Sequence, residues 1–517
     1  MAKIEARYPT LKSLITELAQ QCGERVALSH KGTETTYLEL EEVSAAVSSG
    51  LFSRLNFGDR FGYLARNRSS FFELFFGAAK SRTTLVGLNW RLASKEIRYI
   101  LEDAAVKLVF IEKEFYHLVE SFRHDLDLEI VFLDGEGTGS YHGFLGEGNG
   151  PLSKVYPEPL DTVLQLYTSG TTGRPKGVEI TNEGLLVLRE LEVAGWEGVA
   201  WGEKEVLLVP MPLFHVGGAV WALIGLYNKA KCVILDGGDA AALVSAVQKY
   251  RITRMFVVPT VIQLMLAVDH CEPEAFHSLK LLVYGASPIT SSLLTAAMER
   301  FGCKFLQMYG MTEASGTVTY LLPSDHIGPD AKLLSCGRPY PGIDIMIVDR
   351  DNRALEPKQI GEVLIRTPAI MKGYWRNKED SLEVMSDGWY RSGDAGYVDE
   401  DGYLFIHDRI KDMIVSGGEN VYPVEVENTL AAHPRVSEVA VIGVPSDVWG
   451  EEVKALVVAQ GGRFDPKELI SYARERISAY KVPKTIEFRE NLPKTASGKI
   501  VKNELRLPYW SGQERNV

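Results

Sequence analysis

The spacing of hydrophobic and polar residues changes along the chain between a helical and an extended period. Apolar residues recur at helical spacing over residues 11–19 and 38–55, which predicts two helices. Short apolar runs at residues 60–64 and 106–111 predict strands. Helices that alternate with strands in this way are typical of the α/β fold class.

The apolar residues 71–79, which read FFELFFGAA, are predicted to form a buried helix. The alternative is a membrane or lipid-binding patch, but the run is short and lies between polar turns. Residues 134–150 are predicted to form a loop, because they contain seven glycines and no apolar period.

Three short, mostly apolar runs in the middle of the chain predict strands of one sheet. They cover residues 255–258, 280–284 and 304–308 and are separated by helical patterns, as expected for a parallel sheet covered on both faces. Residues 387–409 contain Asp-Gly turns between short strands and predict a β-meander. From residue 410 the elements become shorter, so a second, small α/β domain is predicted to begin there.

Composition bounds the class of protein. A chain of 517 residues with 45% hydrophobic and 24% charged residues is too long for one core. The net charge of −12 argues against nucleic acid as a partner, because phosphate binding needs a basic face. Five scattered cysteines without a CxxC pattern favour a reducing, cytoplasmic setting and no structural zinc. No apolar stretch predicts a transmembrane segment or a signal peptide. We expect a monomer or a homodimer.

The clearest candidate for chemistry is the sequence YTSGTTGRPKGV at residues 167–178, which follows an apolar run at residues 163–167. Its glycines let the backbone approach an anion, its hydroxyls add donors, and its lysine adds a point charge. These are Gly170, Gly173, Gly177, Thr168, Ser169, Thr171, Thr172 and Lys176. It is not the P-loop of NTPases, because Pro175 precedes the lysine, Gly177 follows it, and the continuation is apolar and extended. The stretch therefore predicts a different grip on a nucleotide triphosphate.

Further candidates stand at the ends of predicted strands, where open α/β sheets bind ligands. Small residues in YGASP, residues 284–288, can pass close to a flat ring. In YGMTE, residues 309–313, Tyr309 is placed to stack on adenine, Thr312 to donate to the α-phosphate, and Glu313 to offer the hard oxygen that Mg²⁺ prefers. The carboxylate of Asp394 matches a ribose diol, with Arg409 assisting. Asp387, Asp399 and Asp401 are interpreted as turn residues.

Residues 167–178 resemble the signature loop of the adenylate-forming superfamily, which includes acyl-CoA synthetases, luciferases and the adenylation domains of peptide synthetases. At least five motifs stand in the order of that family and cover nearly the whole chain. One departure is Asp408, where the family usually has glycine. The resemblance implies a large N-terminal domain, residues 1–409, of mainly parallel sheets flanked by helices plus a small distorted β-barrel. It also implies a small mobile α+β lid, residues 410–517, with the active site in the cleft between them.

The resemblance also implies roles for named residues. The ATP or AMP site is expected to comprise Thr168, Ser169, Gly170, Thr171, Thr172, Gly173, Lys176, Gly285, Ala286, Ser287, Tyr309, Gly310, Met311, Thr312, Glu313, Asp394, Arg409 and Lys499. Lys499, in LPKTASGKI, matches the catalytic lysine, Glu313 and Thr168 are expected to hold Mg²⁺, and His215 to act as a gate and wall more than as a base. Lys411 and Asp412 occupy the hinge position, and Ser416, Gly417 and Gly418 match the segment that lines the pantetheine tunnel for coenzyme A.

The expected acid is a monocarboxylate with an apolar body. The resemblance implies an acyl pocket around His215, Val216, Gly217, Gly218, Pro259 and Met311, in stretches that are rich in apolar residues and glycines. No buried partner for a second substrate charge is evident, because Arg254 is expected to precede its strand and Glu313 to bind metal. Fatty, aromatic and alicyclic acids all remain open.

Three alternatives to an ATP- and CoA-dependent ligase also stay open. One is an adenylating enzyme that passes the acyl group to a carrier protein, and another oxidises the acyl group as luciferases do. The third is a non-catalytic acyl- or nucleotide-binding protein. Peripheral contact with a membrane is left open as well, because acyl substrates partition into lipid.

Overall fold

The computed structural model describes residues 6–146, 155–169, 174–196, 198–269, 271–328, 331–416, 419–446, 448–495 and 499–510. The helices within these residues are α1 (Leu11–Cys22), α2 (Tyr37–Phe52), α3 (Ser70–Ser81), α4 (Ser94–Asp103), α5 (Tyr141–Gly146), α6 (Asn182–Gly195), α7 (Val216–Tyr227), α8 (Ala240–Tyr250), α9 (Pro259–Leu266), α10 (Ser291–Phe301), α11 (Lys378–Val384), α12 (Pro423–Ala431), α13 (Pro466–Arg474) and α14 (Lys502–Trp510).

The strands in the first half are β1 (Val26–His30), β2 (Thr33–Thr36), β3 (Arg60–Leu64), β4 (Thr84–Gly87), β5 (Leu108–Ile111), β6 (Glu129–Phe132), β7 (Thr162–Ser169), β8 (Pro175–Thr181), β9 (Val206–Val209), β10 (Lys231–Ile234), β11 (Arg254–Val257), β12 (Leu281–Gly285) and β13 (Lys304–Met311). Those that follow are β14 (Gly316–Leu321), β15 (Arg338–Pro339), β16 (Asp344–Val348), β17 (Gly361–Arg366), β18 (Gly373–Tyr374), β19 (Met385–Ser386), β20 (Trp389–Val398), β21 (Leu404–Arg409), β22 (Ile414–Ser416), β23 (Glu419–Val421), β24 (Val436–Ser446), β25 (Gly450–Ala459) and β26 (Thr485–Arg489).

Two large, mainly parallel sheets form the body of the protein. The first has the order β15-β14-β13-β12-β11-β9-β10-β1-β2 and the second β18-β8-β7-β4-β3-β5-β6. Strands β9 to β13 of the first sheet pair in parallel, and antiparallel partners β14 and β2 lie towards its edges. The strands predicted from apolar runs are confirmed. The runs are apolar because helices cover both faces of these sheets and bury their side chains.

The helix predicted at residues 71–79 is confirmed as the buried helix α3. Its phenylalanines Phe71, Phe72, Phe75 and Phe76 are buried, and α2 packs along it. An added Cβ at Gly77 would lie 2.3 Å from a methyl of Val47 in α2, so the glycine allows the two helices to approach closely. The run is apolar because it faces protein on all sides.

A third, antiparallel sheet follows the two large ones. It has the order β16-β17-β20-β19, and β21 pairs with the other part of β20. The meander predicted at residues 387–409 is therefore confirmed as β19, β20 and β21. The α/β class with two parallel sheets and a small barrel-like antiparallel sheet is confirmed.

The segment from residue 414 onward forms a fourth sheet with its own core. Its order is β23-β22-β25-β24, and β26 adds to β25 in parallel. Helices α12 and α13 cover one apolar cluster, and α14 covers a second on the other side of β24. The assignment of 1–409 and 410–517 as separate domains stays a prediction.

The predicted loop at residues 134–150 is wrong in part, because residues 141–146 form the short helix α5. Its Phe144 is buried and stands edge-on to Phe110, with ring centroids 5.0 Å apart, while an added Cβ at Gly50 would lie 2.6 Å from the Phe144 ring. One buried aromatic that packs on distant residues holds this turn, which a local glycine-rich pattern does not reveal. Residues 147–150 lie outside the described part of the chain.

Among the described residues, no helix combines the length and the apolar character that crossing a bilayer requires.

Candidate active site

A cavity of about 780 Å³ lies where the ends of β12 and β13 and strand β21 face the C-terminal segment. Its lining includes Ala286 and Ser287 after β12, Tyr309 and Gly310 near the end of β13, and Asp394, Arg409 and Lys499. The preceding Gly285 ends β12, and a Cβ there would lie 2.1 Å from the Met308 carbonyl oxygen, so β12 and β13 approach closely at this point. Strand ends of a parallel sheet thus converge on one cleft, as in other open α/β proteins.

Asp394 is the centre of a buried polar cluster in this cleft. The register of β20 and β21 places it opposite Arg409, whose Nε lies 2.6 Å from Asp394 Oδ1. Tyr309 donates its hydroxyl hydrogen to Asp394 Oδ2 at 2.5 Å. Asp394 raises the pKa of Arg409, and burial together with Asp394 raises the pKa of Tyr309 well above its usual range. The carboxylate is therefore fixed by two partners that rise from different elements.

Thr168 and Glu313 meet although 145 residues separate them. Thr168 Oγ1 donates to Glu313 Oε1 at 3.2 Å, and Tyr374 Oη donates to the same oxygen at 3.3 Å. Thr168 stands near the end of β7, and Glu313 lies in the 3₁₀ turn Thr312–Ala314 that follows Met311. The backbone N–H of Met371 donates to the Glu313 carbonyl at 2.7 Å and fixes this turn. Thr168 Oγ1 and Glu313 Oε1, two hard oxygens, thus lie next to each other where the glycine-rich sequence begins.

Part of the glycine-rich loop lies within the described residues. Gly170, Thr171, Thr172 and Gly173 lie outside the described residues, and Ser169 is placed only as the last residue of β7. Lys176, in β8, forms an ion pair with Asp380 of α11 at 2.5 Å, and its Nζ lies 5.2 Å from the centre of the Tyr374 ring. Lys176 lowers the pKa of Asp380. The loop lysine therefore has a carboxylate partner.

Gly177 has a packing role that its sequence context does not show. An added Cβ would lie 2.5 Å from Gln165 Nε2 on the neighbouring strand, and the Gly177 carbonyl accepts from the Trp375 backbone N–H at 2.7 Å. Trp375 also donates its indole N–H to the Asp103 carbonyl at 2.9 Å. These contacts fix the strand that leaves the glycine-rich loop.

His215 occupies the N-cap position of α7, and its side chain makes no capping hydrogen bond. Burial lowers its pKa to about 4, and the positive charges of Arg91 and Lys499 act in the same direction. Its Nε2 is buried, and among the described residues it has no hydrogen-bond partner. The imidazole is therefore neutral at ordinary pH, with one ring nitrogen left for a ligand.

The other residues predicted for the acyl pocket lie on three elements. Val216, Gly217 and Gly218 form the first turn of α7, Pro259 begins α9, and Met311 ends β13. A Cβ at Gly218 would lie 2.2 Å from the Pro212 carbonyl oxygen, so this glycine permits a close backbone approach. None of these residues lines the 780 Å³ cavity, and the structure leaves their role as a prediction.

Lys499 reaches the same cleft from the C-terminal segment. Burial of its ammonium and the charge of Arg409 lower its pKa, whereas Asp394 and Glu313 raise it. The residue as a whole keeps an exposed surface. Thr495 Oγ1 accepts from the Lys499 backbone N–H at 3.1 Å, and residues 496–498 lie outside the described part of the chain. The ammonium thus stands within electrostatic range of both acidic side chains.

The predicted hinge and tunnel residues lie at the entry to the C-terminal segment. Lys411 is in the 3₁₀ turn Ile410–Asp412, and burial lowers its pKa. Ser416 is buried at the end of β22, whereas Gly417 and Gly418 lie outside the described residues.

Comparison with known proteins decides the family. The model of the AMP-binding enzyme family matches residues 15–375, and the model of its C-terminal domain matches residues 425–499. The chain belongs to the AMP-binding enzyme family. The resemblance to adenylate-forming enzymes, inferred from the motifs, is thereby confirmed.

Relatives of this AMP-binding enzyme match along nearly its whole length. The fatty acid–[acyl-carrier-protein] ligase ScoC of Streptomyces coeruleorubidus is 37% identical over 99% of both chains. A feruloyl-CoA synthase of an Amycolatopsis species is 37% identical over 95% of this chain and 97% of its own. The ATP-bound structure of MatB from Rhodopseudomonas palustris superposes with a TM-score of 0.89 at 26% identity, over 97% of this chain and 99% of that one.

Sequence reasoning missed two residues of this AMP-binding enzyme that contact motif residues. Tyr374 contacts Glu313, and Asp380 holds Lys176, but neither stands in a motif that we singled out.

The position expected for Arg254 is wrong, because it begins β11 instead of preceding it. Its guanidinium is buried, lies 3.6 Å from Glu205, and donates to the carbonyls of residues 199 and 200. Pairing with a distant carboxylate is what makes a buried arginine tolerable there.

Proposed function

We propose that the protein is an acyl-CoA synthetase that uses ATP to adenylate an apolar monocarboxylic acid and then forms its CoA thioester. AMP and pyrophosphate are the other products. The observation that carries the proposal is that Lys499 lies within electrostatic range of two carboxylates, Asp394, which pairs with Arg409, and Glu313, which contacts Thr168. The CoA ligases among its relatives support the same reaction class.

The first half-reaction joins two anions, so the site has to neutralise repulsion. The carboxylate of the acid attacks the α-phosphorus of ATP, the bond to pyrophosphate breaks, and an acyl-adenylate remains. Asp394 and Arg409 hold the ribose, small residues after β12 border the adenine, and Lys499 stabilises the charge that develops on the transferring phosphate. No proton has to be removed, because the acid is ionised at neutral pH.

Magnesium fits the oxygens at the loop. Glu313 and Thr168 would hold the ion, which would supply positive charge against the triphosphate. Among the described residues no group of three or more His, Cys, Asp or Glu side chains is arranged for a metal. This suits magnesium, which commonly takes one or two carboxylates and completes its shell with phosphates and water.

The neutral state of His215 supports a role in lining the substrate site more than a role as a general base. His215 borders the junction between acid and nucleotide, and its unpartnered Nε2 offers a hydrogen-bonding atom to the bound substrate. A base is not required for attack by a carboxylate.

The second half-reaction uses the lid, residues 410–517, in a new orientation. Rotation about Lys411 withdraws Lys499 and brings the segment of Ser416, Gly417 and Gly418 to the tunnel. The CoA thiol loses its proton to water and attacks the acyl carbon, and AMP leaves with the electron pair of the broken anhydride bond.

The acid is proposed to have a sizeable apolar body. An added Cβ at Gly217 would lie 3.2 Å from Phe256, and one at Gly316 would lie 3.1 Å from Leu188 and 3.3 Å from Val220. Each buried methylene of a substrate is worth about 0.8 kcal/mol. Two buried arginines near these elements, Arg189 and Arg254, are paired with Glu192 and Glu205, respectively, so neither is free to neutralise a second substrate carboxylate.

A second candidate function is transfer of the acyl group to a carrier protein. It is favoured by the relative ScoC, a fatty acid–[acyl-carrier-protein] ligase that aligns with 99% of this chain. The first half-reaction would be unchanged, and only the thiol would differ.

The test is ATP–pyrophosphate exchange with acetate, malonate, octanoate, palmitate, benzoate, a hydroxycinnamate and a polycyclic acid, with Lys499→Ala as the background control. Exchange driven by an apolar acid, followed by a thioester on addition of CoA, is the expected result. A thioester formed only with a phosphopantetheinylated carrier protein would favour the second candidate. Preference for acetate or malonate would contradict the apolar pocket, and absence of exchange with every acid would contradict catalysis.

A further inference from the structure

A buried ion cluster crosses the predicted hinge. Asp408 stands at the end of β21, one residue before Arg409, and is only 6% exposed. Its Oδ2 accepts from the backbone N–H of Val424 at 3.0 Å and lies 3.6 Å from Lys502 Nζ. Lys502 begins α14 and also lies 2.9 Å from Glu427 of α12. Asp408 precedes Lys411, whereas its partners follow Lys411.

The position of Lys502 couples this cluster to the candidate catalytic lysine. Lys502 follows Lys499 by three residues, and both line the same cleft. The contact of Lys502 with Glu427 lies within the segment after Lys411, whereas its contact with Asp408 joins that segment to a residue before Lys411 and would be broken by a rotation about Lys411. Asp408 itself is the residue that replaces the glycine usual in the family.

The charges in the cluster show which perturbation would be informative. Burial raises the pKa of Asp408 to about 6, although Lys502 acts to lower it. Burial alone would lower the pKa of Lys502, but Glu427 and Asp408 together raise it. Asp412 is the third carboxylate nearby and has its own partner, Arg506, at 2.7 Å. Lys502 is therefore the positive charge that faces the buried Asp408 carboxylate.

We propose that Lys502 is a positioning residue for adenylation: as the counter-ion of Asp408 across the hinge, it holds the lid in the orientation that places Lys499 at the ATP site. The inference rests on the proposed function and on a hinge at Lys411. Removal of Lys502 would leave a buried, unpaired carboxylate in this orientation alone, because rotation of the lid would return Asp408 to water.

The central variant is Lys502→Met, which keeps the length and apolar volume of the side chain. The expected result is a fall in ATP–pyrophosphate exchange of about 100-fold, whereas thioester formation from supplied acyl-adenylate and CoA changes by less than about threefold. Adding Asp408→Asn to Lys502→Met removes the unpaired charge and should recover exchange to within about tenfold of the wild type. Lys502→Arg keeps the cation and should retain most of the exchange.

The matched control is Lys454→Met. Lys454 pairs with Glu487 at 3.3 Å within the lid sheet, and its side chain is 14% exposed against 13% for Lys502. This variant removes an equally buried lysine without touching the hinge, so the ratio of the two half-reactions should stay that of the wild type. Thermal unfolding of both variants measures any general loss of stability.

A readout independent of activity follows the lid itself. Hydrogen–deuterium exchange of peptides that contain the Val424 amide should speed up in Lys502→Met and not in Lys454→Met, because that amide is bonded to Asp408. An equal fall in the rates of both half-reactions, no recovery of ATP–pyrophosphate exchange in the double variant, or an unchanged rate of hydrogen–deuterium exchange at the Val424 amide would each overturn the proposal. Failure of the wild type to catalyse exchange with any acid would instead overturn the proposed function, whatever the Val424 amide does.

Discussion

Replacement of Lys499 by alanine should separate the two half-reactions. Among the described residues no carboxylate lies within ion-pair distance of its ammonium, although Asp394 and Glu313 act on it from further away. The Lys499 ammonium therefore has no ion-pair partner among the described residues before ATP binds. Its removal is expected to destabilise mainly the transition state. Removal of one preorganised donor costs about 10²–10³ in rate, and a full charge in a partly buried cleft belongs at the upper end, about 4 kcal/mol.

The assay measures each half-reaction alone. In Lys499→Ala, the kcat of ATP–pyrophosphate exchange should fall by about 10³ with little change in the KM for ATP, because the interaction strengthens only in the transition state. Thioester formation from purified acyl-adenylate and CoA should stay close to the wild-type rate. The neighbouring Lys494, which pairs with Glu438 at 2.7 Å, supplies the control Lys494→Ala, with less than about threefold loss. Equal loss of both half-reactions in Lys499→Ala would refute the reasoning.

Three further results are expected. Glu313→Gln should raise the Mg²⁺ concentration for half-maximal exchange by about tenfold or more, since one or two carboxylates commonly hold this ion, and an unchanged Mg²⁺ dependence would contradict the site. His215 has a pKa of about 4 in the fold against about 6.5 unfolded, so the unfolded state binds more protons between these values and the free energy of unfolding should decrease as pH falls through that window; His215→Asn should flatten this decrease in urea titrations. If the activity of the wild type changed with pH near about 6.5 and His215→Asn abolished that change, the imidazole would be titrating as a base. Gly310→Ala should lower Tm by several degrees, because the added Cβ would lie 2.0 Å from the Gly316 carbonyl oxygen, whereas Gly146→Ala, whose added Cβ would have no atom of the described residues within 4 Å, should not.

Local patterns in the sequence were sufficient for most of the fold. Helix α3, the strands β11, β12 and β13, and the meander of β19 to β21 were all predicted, because periodicity and turn residues are properties of neighbouring positions. The family resemblance has the same basis. Its motifs are contiguous runs in which the backbone chemistry and the side-chain chemistry needed for a nucleotide stand together, and the family match confirms it.

The pairings within the cleft were decided by tertiary structure. Lys176 meets Asp380 and Asp408 meets Lys502 across gaps that no period or spacing marks. The short helix α5 forms where the local pattern predicts a loop, since Phe144 packs on residues distant in the chain.

Burial adds a second layer that the sequence alone does not contain. The sequence determined which groups this enzyme carries in its motifs. Only the fold decided which of them are desolvated and which charge faces which, and those two quantities set the neutral state of His215 and the counter-ion role of Lys502.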